Sequence, residues 1–483
     1  MQRWLVKLGR ASLMMANNEK SNTPMLGAHI PFDQNSVEVV KAFNSRWYIL
    51  AVYVYYATIS CFQWVEYSIV TNIVMHYYQV SLSAVDWTGV MFMIVWPIFV
   101  FPSSFLIDKL GLRFAALAGC FLTALGATIK LFSIDQGAFS VVLIGQAIVS
   151  LSQVFILSLP PKLAVTWFKP NEVSTVCSIG VFGMQLGCAL GFLVPPMVVK
   201  DVEDLQEIAL SLKRLCWALA IAIIPACLAV VLYFPHMPKY PPSMAQAEER
   251  RKVQVVTMKT FLQSLKDLLT NMGFLVHMLG YSISFGIFSA FGTLLNHFVL
   301  SYFPGATEDA GRMGLVMILF GMTGGFLVGI VLDKTHKYKE TNLLIYIGTA
   351  ICLGALVVCL KIQAKLLAYL TIAIFGFFLN AYIPAGIEFA SELTYPTNES
   401  TTTGLLTAAS QTLGVIFTLA LSEVNQSWGT IWSLLIQIGL LVIGCVLTAL
   451  VPNNLRRQEA FNKGGNPVEF VAVSQEESLP IKG

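Results

Sequence analysis

The sequence predicts an all-α membrane protein with twelve transmembrane helices in two pseudo-symmetric six-helix bundles. Three observations carry this prediction. Over 483 residues, 56% are hydrophobic and only 12% charged, with a mean hydropathy of +0.70. A soluble domain carries about 25% charged residues, so this chain has too few to cover a water-facing surface of its own size. Apolar runs of about 20 residues, the length that crosses hydrocarbon, recur from end to end. The chain also repeats itself at half its length. Asn171-Glu172-Val173-Ser174-Thr175, running on to Gln185-Leu186-Gly187, has a counterpart 227 positions later in Asn398-Glu399-Ser400-Thr401-Thr402, running on to Gln411-Thr412-Leu413-Gly414. A half-length repeat inside membrane spans implies two similar bundles around a central site.

The spans are predicted at 47–74, 87–107, 112–133, 138–160, 172–197, 214–235, 271–300, 312–332, 341–361, 365–389, 401–422 and 428–451. Residues 1–46 form an N-terminal tail, 47–235 the first bundle and 271–451 the second, with 452–483 as a C-terminal tail. Between the bundles, 236–270 carries Pro238, Pro241, Pro242 and the run Glu248-Glu249-Arg250-Arg251-Lys252, the composition of a linker or short surface helix. With the tails and linker in the cytosol, 23 of the 30 Lys and Arg residues fall on the cytosolic side. The seven on the outer side are Lys130, Lys200, Lys213, Arg214, Arg312, Lys361 and Lys365. The positive-inside rule therefore places both termini in the cytosol, and the plasma membrane is the expected location. The first 46 residues are polar and mixed, so the first span is expected to serve as the targeting signal. Asn425-Gln426-Ser427 is then an outward-facing glycosylation sequon close to the bilayer, while Asn398-Glu399-Ser400 is cytosolic and unmodified.

Several function classes are disfavoured. The nine cysteines lie in or beside apolar segments without a CxxC, which suits packing better than metal or redox work. His277 and His297 are the two histidines within spans, and twenty residues apart they make no single site. There is no nucleophile motif, phosphate loop, catalytic carboxylate pair or zinc spacing, so no enzyme activity, cofactor, metal or nucleic-acid partner is expected. Asp and Glu are nearly absent from span interiors apart from Glu66, which argues against a multi-carboxylate proton relay and for gradient-driven movement of solute. No Arg or Lys is expected inside the membrane.

Two kinds of candidate residue remain. The first is a set of charges at span ends. Asp108-Lys109-Leu110-Gly111-Leu112-Arg113 follows the second span, and Asp333-Lys334-Thr335-His336-Lys337 follows the eighth. An acid at a helix end followed by bases can latch neighbouring helices, and two copies at the repeat spacing favour gating over an ordinary interfacial charge cluster. Glu172 and Glu399, at the mouths of the repeated segments, join Asp108, Arg113, Asp333 and Lys334 as gating candidates.

The second is a set of polar and aromatic groups within spans. Phe62-Gln63-Trp64-Val65-Glu66-Tyr67 lies in the first span, where such groups are costly unless they line a cavity. An indole face attracts cations, quaternary ammonium included, so Trp64 is either the cation face of a site or a packing residue. Glu66 lies about 200° around the helix from Trp64 and groups with Gln63 and Tyr67. It reads equally as a buried helix-packing carboxylate or as a charge that draws cations. Gln185 and Gln411 occupy matching places in the two halves and can orient a hydroxyl or amine without burying charge. Gly183, Gly187, Gly404 and Gly414 beside them are expected to allow close helix approach.

At these residues the chain resembles the feline leukaemia virus subgroup C receptor-related (FLVCR) family of solute carrier family 49, within the major facilitator superfamily. The resemblance runs from about residue 46 to 461 through many short matches in one order. They include Phe62-Gln63-Trp64, Asp86-Trp87, Trp167-Phe168, Gln185-Leu186-Gly187, Gly191-Phe192-Leu193-Val194-Pro195-Pro196, Thr293-Leu294-Leu295-Asn296 and Leu393-Thr394-Tyr395-Pro396. It implies a monomeric carrier of choline and ethanolamine, with haem as the alternative cargo described for the family and a non-transporting receptor as a third reading. It also implies that Trp64 packs on the ammonium and that Gln185 and Gln411 line the same pocket. Two departures stand out. Gly286-Ile287-Phe288-Ser289 has Ser289 where the family has a tyrosine, which removes one wall of the expected aromatic cage that Phe288 need not replace; both join Trp64, Tyr67, Gln185 and Gln411 as substrate-binding candidates. Glu66 stands where the family has glutamine.

Overall fold

In the computed structural model, the described residues are 43–169, 172–235, 237, 238, 240, 242, 258–397 and 399–453. They hold twelve helices long and apolar enough to cross a membrane: α1 Ser45–Tyr78, α2 Leu82–Ile107, α3 Lys109–Lys130, α4 Phe139–Trp167, α5 Thr175–Val198, α6 Leu205–Tyr233, α7 Met272–Leu300, α8 Thr307–Leu332, α9 Tyr338–Lys361, α10 Lys365–Thr394, α11 Thr401–Trp428 and α12 Thr430–Leu450. A short helix over Met258–Thr270 lies in the predicted linker.

Local chemistry accounts for most of the boundaries. Ser81 caps α2 by accepting from the Ala84 amide, Asp204 caps α6, and Asn271 caps α7 through the Phe274 amide at 3.2 Å. Because Asp204 starts α6, that helix begins nine residues before its predicted span and takes Lys213 and Arg214 into its own first turns. The predicted loop at 108–111 is nearly absent. Helical backbone runs on from α2 into α3 and is interrupted only at Gly111, in the first turn of α3, which adopts φ 83° and ψ −179°, a conformation open to glycine and strained for other residues. The α4 helix breaks at Ser158, where Pro160 and Pro161 open its second segment.

The packing follows a twofold pattern. Within the first lobe α1 lies on α5, α3 on α4 and α6; within the second, α7 lies on α11, α10 on α8 and α9, and α9 on α12. The lobes meet along two related seams, α2 with α11 and α5 with α8. Because lipid supplies no hydrophobic drive between helices, close packing and hydroxyl bonds hold the lobes together. Ser152 of α4 links Ser60 of α1 at 3.2 Å and Thr123 of α3 at 2.9 Å, and Tyr53 donates to the Ile156 carbonyl at 3.0 Å.

Hydrogen bonds join the lobes at the end away from the linker. Asn296 donates to the Ile69 carbonyl at 2.7 Å, Asn72 to Thr307 at 3.2 Å and Gln426 to Ser83 at 3.1 Å. Ser422 of α11 donates to the Asp86 carboxylate of α2, a buried pair.

Candidate functional site between the lobes

The break in α1 sets the position of Trp64. The first straight segment ends at Val65, a 3₁₀ turn spans Ser68–Val70, and Val70 leaves helical geometry at φ −118° and ψ 31° before the second segment starts at Thr71. Trp64 is thus on the last turn before an interruption, and the irregular backbone there is tolerated because it is buried in protein. Its half-buried indole reaches the other lobe, with ring centroids 6.1 Å from Phe288 of α7 at a 37° tilt. Phe285 follows on the same helix, 6.2 Å from Phe288.

Polar groups surround this aromatic pair. The Oγ of Ser289 is enclosed and unbonded, as is the Oε1 of Gln411 on α11. Ser289 lies against Gly414, its Oγ 3.6 Å from where a Cβ would stand there, and the Met93 thioether of α2 reaches the same point at 3.2 Å. One turn along α2, the Ser68 and Thr293 hydroxyls and the Trp64 carbonyl converge on Gly89. The helices α1, α2, α7 and α11 therefore meet near the two rings and several hydroxyls.

Phe288, the residue before Ser289, stands against Trp64, whereas Ser289 faces Gly414 of α11. Gln185 is half-buried on α5, off the stripe of Gly183, Gly187 and Gly191 that packs on α1. Tyr67 lies elsewhere. Its hydroxyl meets Cys216 of α6 at 3.8 Å and its ring lies 5.5 Å from the Lys130 ammonium, inside the first lobe.

Lys130 corrects two expectations. Instead of an outer-side surface charge, it is 1% exposed and ion-paired with Glu66, itself 1% exposed. The membrane region therefore does contain a basic residue, and Glu66 is a helix-packing carboxylate. Gln146 of α4 completes the cluster, 3.5 Å from the ammonium through Oε1 and donating to the Gln63 carbonyl at 2.9 Å. Gly145 opens the slot through which the lysine passes, because a Cβ there would stand 2.5 Å from the lysine Cγ. Two lone opposite charges in apolar spans were the available sequence signal. Their partnership needed the fold, because 64 residues separate them.

The gating candidates make different contacts from those expected. Arg113 donates to the Val231 carbonyl of α6 at 3.1 Å, Lys334 is exposed, and Glu172 pairs with Arg46 at 2.9 Å within the first lobe. The side chains of Asp108, Asp333 and Glu399 lie outside the described residues. Asp86, which sequence reading passed over, joins the two lobes. Gln426 and Ser427 of the sequon are exposed but its acceptor is buried: Asn425 is 3% exposed and accepts from Thr430 at 3.0 Å, out of reach of a glycosyltransferase in this fold. Gly404 makes no close approach, its nearest neighbour being Phe101 at 3.9 Å. The nine cysteines are all free thiols.

Comparison with known proteins places this arrangement. The family profile described as Major Facilitator Superfamily matches residues 52–419, so the chain belongs to that class of two-lobed membrane proteins. The inward-facing, unoccupied structure of a bacterial homologue of the human lysosomal transporter Spinster has the same fold, with a TM-score of 0.67 at 13% identity, covering 86% of this chain and 99% of that one. Choline/ethanolamine transporter flvcr2a of Danio rerio is 37% identical over 449 residues, 93% of this chain and 95% of that protein. Choline/ethanolamine transporter FLVCR2 of Homo sapiens is 38% identical over 424 residues, 88% of this chain and 80% of that protein. Within the superfamily, the chain belongs to the FLVCR family.

Proposed function

We propose that this protein is a facilitative transporter of choline and ethanolamine that works by alternating access. The observation that carries the reading is the Trp64–Phe288 pair, two rings contributed by opposite lobes at the α1 break. At 6.1 Å the two rings pack on each other in this state, and a cation that enters as the lobes part is attracted by both quadrupoles, an interaction of about 2 kcal/mol when desolvated. Because the rings belong to different lobes, a rocking motion that parts the lobes also opens the site. Relatives named as choline/ethanolamine transporters, similar over nearly the whole chain, support the same substrates.

In this reading Gln411, Gln185 and Ser289 orient the hydroxyl or amine, and Tyr67 supports α1 from behind. Both termini and the linker are cytosolic, the membrane is the plasma membrane, and the protein acts as a monomer. The hydrogen bonds at Asp86, Asn296, Asn72 and Gln426 then close the outer end. Arg113 and Glu172 stabilise the cytosolic ends within the first lobe, while Asp108, Asp333, Lys334 and Glu399 are left to latch the cytosolic mouth in the opposite state. A haem cargo finds no support at the site, because the buried Lys130 is committed to Glu66 and offers no cation to a propionate.

The test is uptake of labelled choline and ethanolamine by cells lacking their own transport and expressing the full chain. Saturable uptake of both solutes is expected, reduced at least about tenfold in Trp64→Ala. Wild-type uptake in Trp64→Ala would remove the indole from the site, and absence of flux in the wild-type chain would overturn the function.

A further inference from the structure

We infer that the central site of this chain selects a primary ammonium over a quaternary one, with Ser289 as the residue that sets the preference. This rests on the reading that Trp64, Phe288 and Gln411 form the substrate site. Three oxygen atoms around that site are enclosed and unbonded: the Ser289 Oγ, the Ser68 Oγ and the Gln411 Oε1. A helical serine ordinarily returns its hydroxyl to a carbonyl of the preceding turn, as Ser410 does to Thr407 on α11. Ser289 makes no such bond although it is 0% exposed. Across the helix interface it meets Gly414 of α11, with the Met93 thioether of α2 at the same point, and neither has a side-chain donor for it.

Enclosed acceptors favour a ligand that brings donors. Protonated ethanolamine has three N–H donors and one O–H. Choline has the O–H alone, and its three methyl groups present no donor to a second or third acceptor. The aromatic part of the site does not compensate. Trp64 and Phe288 are two rings tilted at 37°, which attract a positive charge and offer no acceptor that would tell one ammonium from the other by its donors. A small ammonium can sit against the Ser289 hydroxyl, where a trimethylated one places a methyl group on it. Met93 covers the spot, and a flexible thioether moves aside at low cost. One well-made bond to the ammonium at Ser289 is expected to be about tenfold in selectivity, equivalent to about 1.4 kcal/mol.

The experiment measures initial uptake of labelled ethanolamine, N-methylethanolamine, N,N-dimethylethanolamine and choline by the full chain. The expected result is a stepwise fall in kcat/KM as methyl groups replace N–H, with ethanolamine above choline. Ser289→Ala lowers the ethanolamine-to-choline ratio about tenfold, and Ser289→Thr, which keeps the hydroxyl, largely retains it. A kcat/KM for choline equal to or above that for ethanolamine overturns the inference, as does an equal change in ratio for Ala and Thr. In both of those outcomes solute still moves, so the transport reading stands. If no solute moves, the transport reading fails and this inference falls with it.

Discussion

The two halves repeat in sequence but differ in how they are held together. In the first lobe α5 presses directly on α1: a Cβ at Gly187 would stand 2.3 Å from the Thr58 carbonyl oxygen, and one at Gly191 would stand 2.6 Å from that of Phe62. Thr58 also donates to the Gly183 carbonyl at 2.9 Å. Backbone limits both contacts and cannot yield, and the Cys61 Cβ and Val65 Cγ2 crowd the same points at 2.9 and 2.6 Å. In the second lobe the equivalent α7–α11 contact runs through side chains. Gly286 accommodates the Phe417 ring, Gly414 faces Ser289 and Met93, and Gly404 touches almost nothing. The interruption differs as well. The α1 helix is broken after Trp64 and braced by Glu66, Lys130 and Gln146, whereas α7 runs unbroken over Met272–Leu300. Duplication copied the topology, and the energetics diverged afterwards. The first lobe holds Trp64 rigidly, and the second presents Phe288 and Ser289 from a surface that can repack.

The sharpest challenge to this comparison is to the brace. Lys130→Met leaves Glu66 buried without its partner and should destabilise the protein by about 3–5 kcal/mol. The double variant Glu66→Gln with Lys130→Met should recover most of that loss, read as melting temperature in detergent. Equal melting of the single and double variants would show that the pair does not brace α1.

Next in size is the glycine contrast. Gly187→Val forces a side chain into the α1 backbone and should cost at least about 3 kcal/mol, seen as loss of folded protein by size-exclusion fluorescence. Gly414→Ala, at the matching position 227 residues on, meets only the Met93 and Ser289 side chains and should cost less than about 1 kcal/mol. Similar costs at both positions would erase the distinction between the lobes.

The rings provide a smaller effect. Trp64→Ala is expected to raise the choline KM about 30-fold, equivalent to about 2 kcal/mol, while Phe288→Ala should raise it only about fivefold because the second lobe repacks around the gap. A larger effect at Phe288 would reverse the assignment of rigid and adaptable halves. Smallest is Ser422→Ala, which removes one bond between the lobes at Asp86. A loss of about 1 kcal/mol shifts the balance between open and closed outer ends about fivefold, measurable by labelling of cysteines introduced along α2.

Much of this was legible in advance. Twelve spans, two lobes and their order follow from hydropathy and length, because a chain in lipid must satisfy its backbone within each helix. Trp64 and Gln411 stood out because an aromatic or an amide in an apolar run needs a reason to be there. Other residues misled. Lys130 reads as a surface charge because it ends its span, and its long stem then reaches inward through the slot at Gly145. Asn425 reads as a sequon in a loop, but α11 continues through it to Trp428. Phe288 was a candidate only through the resemblance, as the neighbour of Ser289, since a phenylalanine in an apolar helix is by itself the commonest of observations.

By itself the sequence determined the helices, their number and the polar positions that needed explaining, because helix formation and membrane insertion depend on neighbours within a span. Only the tertiary structure decided which lone charge meets which, that Phe288 faces Trp64 and that Asp86 meets Ser422. Those partners lie 64, 224 and 336 residues apart along the chain. Contacts of that span are set by the packing of whole helices, and no local pattern records them.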